Sequence, residues 1–518
     1  MFWLHVIILV ICGGVFSFAL PSVNAWWCAL ALVPLFVLVA RAERSKDAFG
    51  YGFFFALSFF SLHLIWLPTS FAELFGQAFW FTYPPMLIVL GCFWGLLCWF
   101  ARFLGGRGKV TLWLLPALWV LVEWLRSQGV FAFPWGTLGY IWLKTPLAQL
   151  ADIAGVYGLS LLTAVFTSLV AAPFVIDEGR PSLRQTSSRS RRQPWRPLLV
   201  FVVLLGLSFA YSLFRGQGIR AVLEQPPQPE TALLIQEGPT DLLGRTQGLE
   251  QGLDLYNRLS AEALSQFPED SVDIVIWPEG AILGQDLSAP ESGAALRQSI
   301  QDSLGNTAAI VGGSRYDFEG GYNSAFSIAR GTLIDEYDKV FLVPFGEYFP
   351  FIRQLSGLYR PIFRAFGLNM LDSRLPGSSL KSLESPVGKV ATYICYESIF
   401  PQVARTMVSD GASLLVNISN DAWFGKGQGS EQHFLMGSMR AIETRRFLLR
   451  AGVDGITAVV NPLGEVVKTL PRGTRGNLMA NYQSLNIPSF YVRYGDGLMI
   501  ILLIYMAIMS AMGLFNRR

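Results

Sequence analysis

A chain of 518 residues in which 52% are hydrophobic, only 15% are charged and the mean hydropathy is +0.41 is too apolar to be wholly solvated by water, so part of it must sit in lipid. A net charge of +3 and a pI near 8.5 give no argument for nucleic acid as a partner. Cys12, Cys28, Cys92 and Cys98 fall in strongly apolar segments with no disulfide pattern, and His5, His63 and His433 are scattered, so no metal-ligand spacing appears and neither metal nor cofactor is expected.

From the N-terminus, apolar runs near the roughly 20 residues that a helix needs to cross a bilayer recur at 2–20, 24–40, 48–67, 78–101, 110–125, 156–176 and 197–214, with a last one near 493–513. The first lacks the basic flank and the small-residue cleavage site of a signal peptide and is expected to be retained. Arg41, Arg44 and Lys46, then Arg102, Arg107 and Lys109, then Arg180, Arg184, Arg189, Arg191, Arg192 and Arg196, and finally Arg517 and Arg518 mark alternate loops as cytoplasmic. Eight spans would then place both termini inside and the polar segment between the seventh and eighth outside. The basic 177–197 loop reads as a disordered cytoplasmic connector or as a lipid-headgroup or regulatory site. Glu123 and Arg126 are spaced to form an ion pair at the outer end of the fifth span, and FAFPWGTLGYIW at 131–142 has the aromatic, Pro- and Gly-containing make-up of an interfacial segment.

Residues 217–485 read as a separate α/β domain. Strands are expected at TALLIQ (231), VDIVIWPEG (272), AAIVGGS (308), NSAFSIA (323), KVATYICYE (389), ASLLVNISND (412) and GITAVVNP (455), with helical patterns at 247–266, 293–304, 400–409 and 430–446. The stretch 341–376 is apolar and aromatic with interspersed Arg, either a membrane-touching arm or lid or a surface excursion. Residues 1–216 would hold seven spans, and 486–518 the eighth.

Three strand ends, two of them in strands given above, present ionisable groups: Glu279 in VIWPEG, Lys339 in DEYDKV and Cys395 in ICYE. A strand that stops at a thiol, with a turn behind it, is either a buried structural cysteine or a displayed nucleophile. A carboxylate to take the thiol proton and an ammonium to stabilise the anion make the second reading chemically complete. Glu279 would be the base, Lys339 and the backbone N–H after Cys395 would stabilise an oxyanion, and Glu347 and Glu397 would orient Lys339 and an attacking amine.

The ordered set W-P-E (277–279), D-K (338–339), V-P-F-G-E-Y (343–348), C-Y-E (395–397) and N-x-S-N-D-A-W-F-G (417–425) resembles the carbon-nitrogen hydrolase, or nitrilase, superfamily with its Glu-Lys-Cys triad. With the multispan frame, E-x-x-R at 123–126 and F-P-W at 133–135, the chain resembles the apolipoprotein N-acyltransferase family within it. The resemblance implies an αββα sandwich on a membrane bundle of about eight helices, facing the periplasm from the bacterial inner membrane. It implies transfer of an acyl chain from a phospholipid to Cys395 as a thioester, then to the α-amine of a diacylglyceryl-cysteine on an apolipoprotein. It also implies that Glu279, Lys339 and Cys395 are the triad, and that Glu347, Tyr396, Glu397, Asn323 and Trp423 line the site. Two stretches depart from the family pattern: IQEGPTDLLGR (235–245) lacks the usual Q-G-N and following Trp, and RAGVDG (450–455) replaces R-x-T-N-x-G. A membrane-bound amidase of the same superfamily and a non-catalytic lipid- or lipoprotein-binding relative remain as alternatives.

Overall fold

The computed structural model describes residues 1–175, 195–224, 230–239, 249–268, 270–352, 354–365 and 373–515. Most of the basic 177–197 loop, part of the 235–245 departure, part of the 341–376 arm and the terminal Arg517 and Arg518 lie outside the described residues.

Each of the first seven apolar runs is helical. The helices are α1 (Phe2–Phe16), α2 (Leu32–Arg41), α3 (Ser45–His63), α4 (Trp66–Phe75), α5 (Tyr83–Gly105), α6 (Lys109–Leu125), α7 (Ala151–Ala171) and α8 (Trp195–Leu223). Among the described residues, four stretches are long and apolar enough to cross a membrane: Phe2–Ala19, Phe79–Gly105, Pro146–Phe174 and Trp195–Leu223. A fifth is added if α3 and α4, bent by 46°, form one span. The 17-residue α6 and the shorter Trp26–Arg41 fall below that length. Small residues let the helices touch backbone to backbone, as packing in lipid requires: a Cβ on Gly13 of α1 would lie 2.2 Å from the Phe55 carbonyl oxygen of α3, and one on Gly52 of α3 would lie 2.4 Å from that of Trp94 in α5.

Beyond α8 the chain alternates strands and helices: β1 (Glu230–Gln236), α9 (Leu249–Leu264), β2 (Ile274–Ile276), β3 (Ile282–Asp286), α10 (Ser292–Leu304), β4 (Ala308–Tyr316), β5 (Gly321–Ala329), β6 (Thr332–Asp338), α11 (Ser356–Ala365), β7 (Val390–Ile394), α12 (Pro401–Ser409), β8 (Leu414–Ser419), α13 (Gly429–Thr444), β9 (Leu448–Gly452), β10 (Thr457–Val460), β11 (Val466–Leu470) and β12 (Gly476–Tyr482). One sheet runs β12-β1-β2-β4-β5-β6, with β3 also on β4, and the other runs β11-β10-β9-β8-β7. Strand β2 of the first sheet and strands β7 to β10 of the second are buried on both faces, and the period of two divides the side chains. Leu233, Ile235 and Val275 pack with Tyr256 of α9 and Ile300 of α10. Ala232, Leu234, Ile274 and Ile276 join the cluster that holds Val416, Ile418, Leu449 and Ala451 of the second sheet. With α12 and α13 behind that second sheet, the result is the expected αββα sandwich. The chain then returns through α14 (Phe490–Tyr494) to α15 (Gly497–Phe515), whose apolar part, Gly497–Gly513, is also shorter than a full span.

All seven expected strands form; β3, β6, β9, β11 and β12 are additional. β6 (TLIDEYD) and β11 (VVKTL) are partly or wholly solvent-facing and carry little apolar signal, while β9 (LLRAG) follows α13 so closely that it reads as more helix.

Buried charge locks the sandwich onto the helices. Arg445, the left-handed cap of α13, donates to Asp152 of α7 at 3.0 Å, to the Gln149 side chain at 2.6 Å and to the carbonyls of Gln149 and Pro462 at 2.8 and 3.0 Å. Arg215 of α8 reaches the same carboxylate at 2.7 Å. Removing one partner of such a pair leaves the other charge buried and uncompensated. Arg445→Met is therefore expected to destabilise the protein by about 3–5 kcal/mol, read as a lower thermal unfolding midpoint in detergent; an unchanged midpoint would show that the lock contributes nothing.

Candidate active site

Three strand ends meet where the sheets face each other. Glu279 follows β2, Lys339 follows β6 and Cys395 follows β7, and all three are buried. The Lys339 ammonium, 1% exposed, lies 3.3 Å from Glu279 and 2.8 Å from Glu347. Asn323 of β5 donates its side-chain N–H groups to both carboxylates, at 2.8 Å to Glu279 and 2.9 Å to Glu347. The second Glu279 oxygen accepts from the Asn420 N–H at 2.7 Å, and the carbonyl of that same residue lies 4.0 Å from the Cys395 sulfur. One residue after β8 thus connects the acid to the thiol.

Burial pulls the Lys339 ammonium toward neutrality, but the Glu279 and Glu347 carboxylates outweigh it and hold the group above the usual lysine range. For Cys395, burial pushes the thiol up and Glu279 pushes it further, with Lys339 offsetting only part. Burial and Glu279 thus favour the neutral thiol, and the two carboxylates favour the charged ammonium beside it.

Cys395 itself has φ +49°, a left-handed conformation that costs a non-glycine residue about 1–3 kcal/mol and persists only where its surroundings enforce it. Glu397, two residues on in the 3-10 turn Cys395–Ile399, is fully buried. It accepts from the N–H groups of Ile394 (2.8 Å), Val340 (2.8 Å) and Phe341 (3.1 Å) and from the Tyr337 hydroxyl (2.7 Å). It ties the strand end bearing Cys395 to the one bearing Lys339, and its oxygens go to these groups, not to the ammonium.

Tyr396 turns toward the helices: its hydroxyl donates to the Ala132 carbonyl at 2.7 Å and its ring stacks on Trp135 at 6.0 Å. The 131–142 loop is therefore largely packed inside the protein, unlike the interfacial segment expected. Glu123 and Arg126 serve that loop and do not pair with each other. Glu123 accepts from the Trp119 indole (2.8 Å) and the Leu138 N–H (2.7 Å), and Arg126 donates to the carbonyls of Phe133 (2.7 Å) and Trp135 (2.8 Å) while lying over Trp94 and Phe60. The buried loop has regular structure only in its 3-10 turn Leu138–Trp142, which leaves backbone groups before and at the start of that turn in need of partners, and these two charges supply some of them. Trp423 sits on the 3-10 turn Asp421–Phe424 with its ring partly exposed, and the adjacent Phe424 packs against Trp66 and Trp135. Phe131 stacks on Phe345 (6.2 Å) and lies tilted against Phe351 (6.0 Å) of the arm, and the Tyr348 hydroxyl donates to the Val130 carbonyl.

Sequence reasoning missed a second buried cluster behind the thiol. Asp421 accepts from Arg450 (2.8 Å), Ser430 (2.7 Å) and Ser419 (2.7 Å) and faces His433 Nδ1 at 3.1 Å, while His433 Nε2 lies 3.0 Å from the Cys395 carbonyl. Burial pushes the Asp421 carboxyl up, yet Arg450 and then His433 hold it well below the usual range. The only available signal was the N-x-S-N-D run; nothing in the sequence linked His433 or Arg450 to it.

A family model of the carbon-nitrogen hydrolases matches residues 233–487, and one of the apolipoprotein N-acyltransferase N-terminal domain matches residues 12–169. The apolipoprotein N-acyltransferase of Geobacter metallireducens is 31% identical over 495 residues, covering 93% of this chain and 89% of its own. That of Nitrosomonas europaea is 30% identical over 507 residues, covering 94% and 93%. Among solved structures, Nit3 of Saccharomyces cerevisiae, a nitrilase-superfamily member, aligns with 49% of this chain and 90% of its own at 17% identity and a TM-score of 0.38. Matches at this identity along nearly the full length of both partners mean that the chain belongs to the apolipoprotein N-acyltransferase family.

Proposed function

We propose that the protein transfers an acyl chain from a membrane phospholipid to Cys395 and then to the free α-amine of a diacylglyceryl-cysteine at the N-terminus of an apolipoprotein. The observation that carries this reading is the buried cation between two carboxylates beside a thiol held in a left-handed turn. In the first half-reaction Glu279 takes the thiol proton as the sulfur adds to the ester carbonyl carbon. Lys339 and the Tyr396 N–H receive the oxyanion, and the C–O bond breaks as Glu279 returns the proton to the departing lysophospholipid oxygen. In the second half the amine adds to the thioester carbonyl and loses a proton to Glu279. The C–S bond then breaks, an amide forms and the sulfur recovers the proton. Asn323 and Glu347 keep the charges in register. Tyr396, Glu397 and Trp423 shape the site, Glu397 through the backbone it holds.

Transfer to an amine instead of water requires a dry site. Cys395 is only 7% exposed, and the aromatic arm closing on Phe131 supports exclusion of water and offers an apolar bed for the acyl chain. We assign residues 1–216 and 486–518 to an eight-span frame in the bacterial inner membrane, 217–485 to the periplasmic side and both termini to the cytoplasm. Arg102, which donates to the Ala42 and Glu43 carbonyls at 2.7 and 3.0 Å, supports this by bringing two basic loops to one face. Gly513 of α15 abuts Leu104 at that same face, opposite the loop that holds Tyr396.

Incubation of the purified protein with phospholipid alone is expected to give a hydroxylamine-labile adduct on Cys395, absent in Cys395→Ala. Adding a diacylated peptide with a free N-terminal amine should then give triacylated product. Release of free fatty acid alone would make the protein a hydrolase, and no adduct at all a silent relative.

The raised thiol sets a second expectation. Alkylation of Cys395 by iodoacetamide should keep climbing past pH 9, where an ordinary thiol levels off. Glu279→Gln removes a charge that raises the thiol and should shift the curve to lower pH, whereas Lys339→Met removes the cation that lowers it and should shift the curve upward. The reverse order of the two variants would overturn the electrostatic assignment.

A further inference from the structure

We propose that His433 is a positioning residue for acyl transfer, holding and polarising the Cys395–Tyr396 peptide so that the Tyr396 N–H meets the oxyanion formed at Cys395. This rests on Cys395 being the nucleophile.

The ring of His433 is completely buried on α13, stacked near Trp135 (6.4 Å) and Phe424 (5.2 Å). Its Nε2 is 3.0 Å from the Cys395 carbonyl oxygen. A carbonyl only accepts, so the ring must present its proton there. The Ser398 hydroxyl, 2.8 Å from the same nitrogen, shares that donor. On the other edge, Nδ1 faces the Asp421 carboxylate and the Arg450 guanidinium, each at 3.1 Å. Asp421, Arg450 and the Cys395 site are the charged or titratable neighbours of this ring, and they fix its rotation.

The consequence follows from peptide geometry. In a trans peptide the C=O and N–H point in opposite directions, so a donor placed on the Cys395 carbonyl from α13 sends the Tyr396 N–H away from α13. That N–H has no backbone or side-chain acceptor among the described residues. A hydrogen bond at the carbonyl end of a peptide polarises its N–H end and makes it a better donor. The same contact, together with Glu397 accepting from Ile394, holds the left-handed turn at Cys395 from both sides. His433 therefore acts on the transition state through the peptide, without touching the substrate.

The test is single-turnover acylation of Cys395 from phospholipid, with alkylation rate and thermal unfolding measured on the same preparations. His433→Ala and His433→Asn, whose amide is too short to reach the carbonyl, should acylate roughly 10- to 100-fold more slowly at saturating phospholipid, with half-saturation and the iodoacetamide reaction little changed. His433→Gln, which can place an N–H near the Nε2 position, should restore most of the rate. If the Ala variant fails to fold, the Asn and Gln variants decide the question between them. Acylation at the wild-type rate in the Ala or Asn variant, or a Gln variant no faster than Asn, would overturn the proposal. So would a loss that tracks a lowered unfolding midpoint. If wild-type protein forms no adduct, or the adduct persists in Cys395→Ala, the nucleophile assignment fails instead.

Discussion

An ammonium taken out of water costs several kcal/mol unless opposite charge and hydrogen bonds replace the solvent, and the Lys339 side chain is almost entirely buried. Much of the site's architecture can be read as the answer to that cost. Glu279 comes from the end of β2, Glu347 from the arm after β6, and Asn323 from β5 holds the two carboxylates in place with its own amide. Because Glu347 also accepts from the Val343 N–H at 2.8 Å, the root of the arm is tied to the charge cluster. The cation that would stabilise an oxyanion is thus permanent, and the cost of desolvating it is met on folding and not during the reaction.

The second constraint is that the site does not belong to the sandwich alone. Gln432 of α13 accepts from the indoles of Trp66 and Trp135, both at 2.9 Å, and donates to the His63 carbonyl at 3.2 Å. Tyr396, next to the thiol, is held by the loop that follows α6. These contacts fix the height and tilt of the Cys395 sulfur relative to the helices. For substrates anchored in a bilayer, a fixed height turns an encounter in three dimensions into one in two and raises effective concentration.

How much of this was legible follows from how far each signal extends along the chain. Glu279 and Cys395 were readable because each ends a strand whose apolar run is itself visible, so chemistry and local structure coincide, whereas Lys339 ends the weakly apolar β6 and was readable only from the run DEYDKV around it. Asp421, His433 and Arg450 were not, because they lie on three different elements and their partnership exists only once β8, α13 and β9 are packed. Glu123 and Arg126 suggested a pair through their helical spacing, but spacing along one helix cannot show that a neighbouring loop offers unsatisfied carbonyls and N–H groups nearby. The membrane helices were found from composition, yet composition did not show the 46° bend between α3 and α4 or how much shorter than a span Trp26–Arg41 is.

The two departures from the family pattern become one once folded. The Gly238 N–H donates to the Val453 carbonyl at 2.9 Å, and the Val453 N–H to that of Ser419 at 3.0 Å, so the segment after β1 and the RAGVDG turn rest on each other and on the end of β8. Within that turn the groups the site requires are present. Arg450 supplies the guanidinium to Asp421, and Gly455 leaves the room that a Cβ, 2.6 Å from the Asp421 carboxylate, would remove. The residues between them are held as well: Ala451 and Val453 are fully buried, and Asp454 faces Arg472 at 3.5 Å. Because the contacts between the two segments run through the main chain, they persist whatever side chains stand at 237–239 and 451–454, and the buried Asp421 cluster keeps its partners beside them.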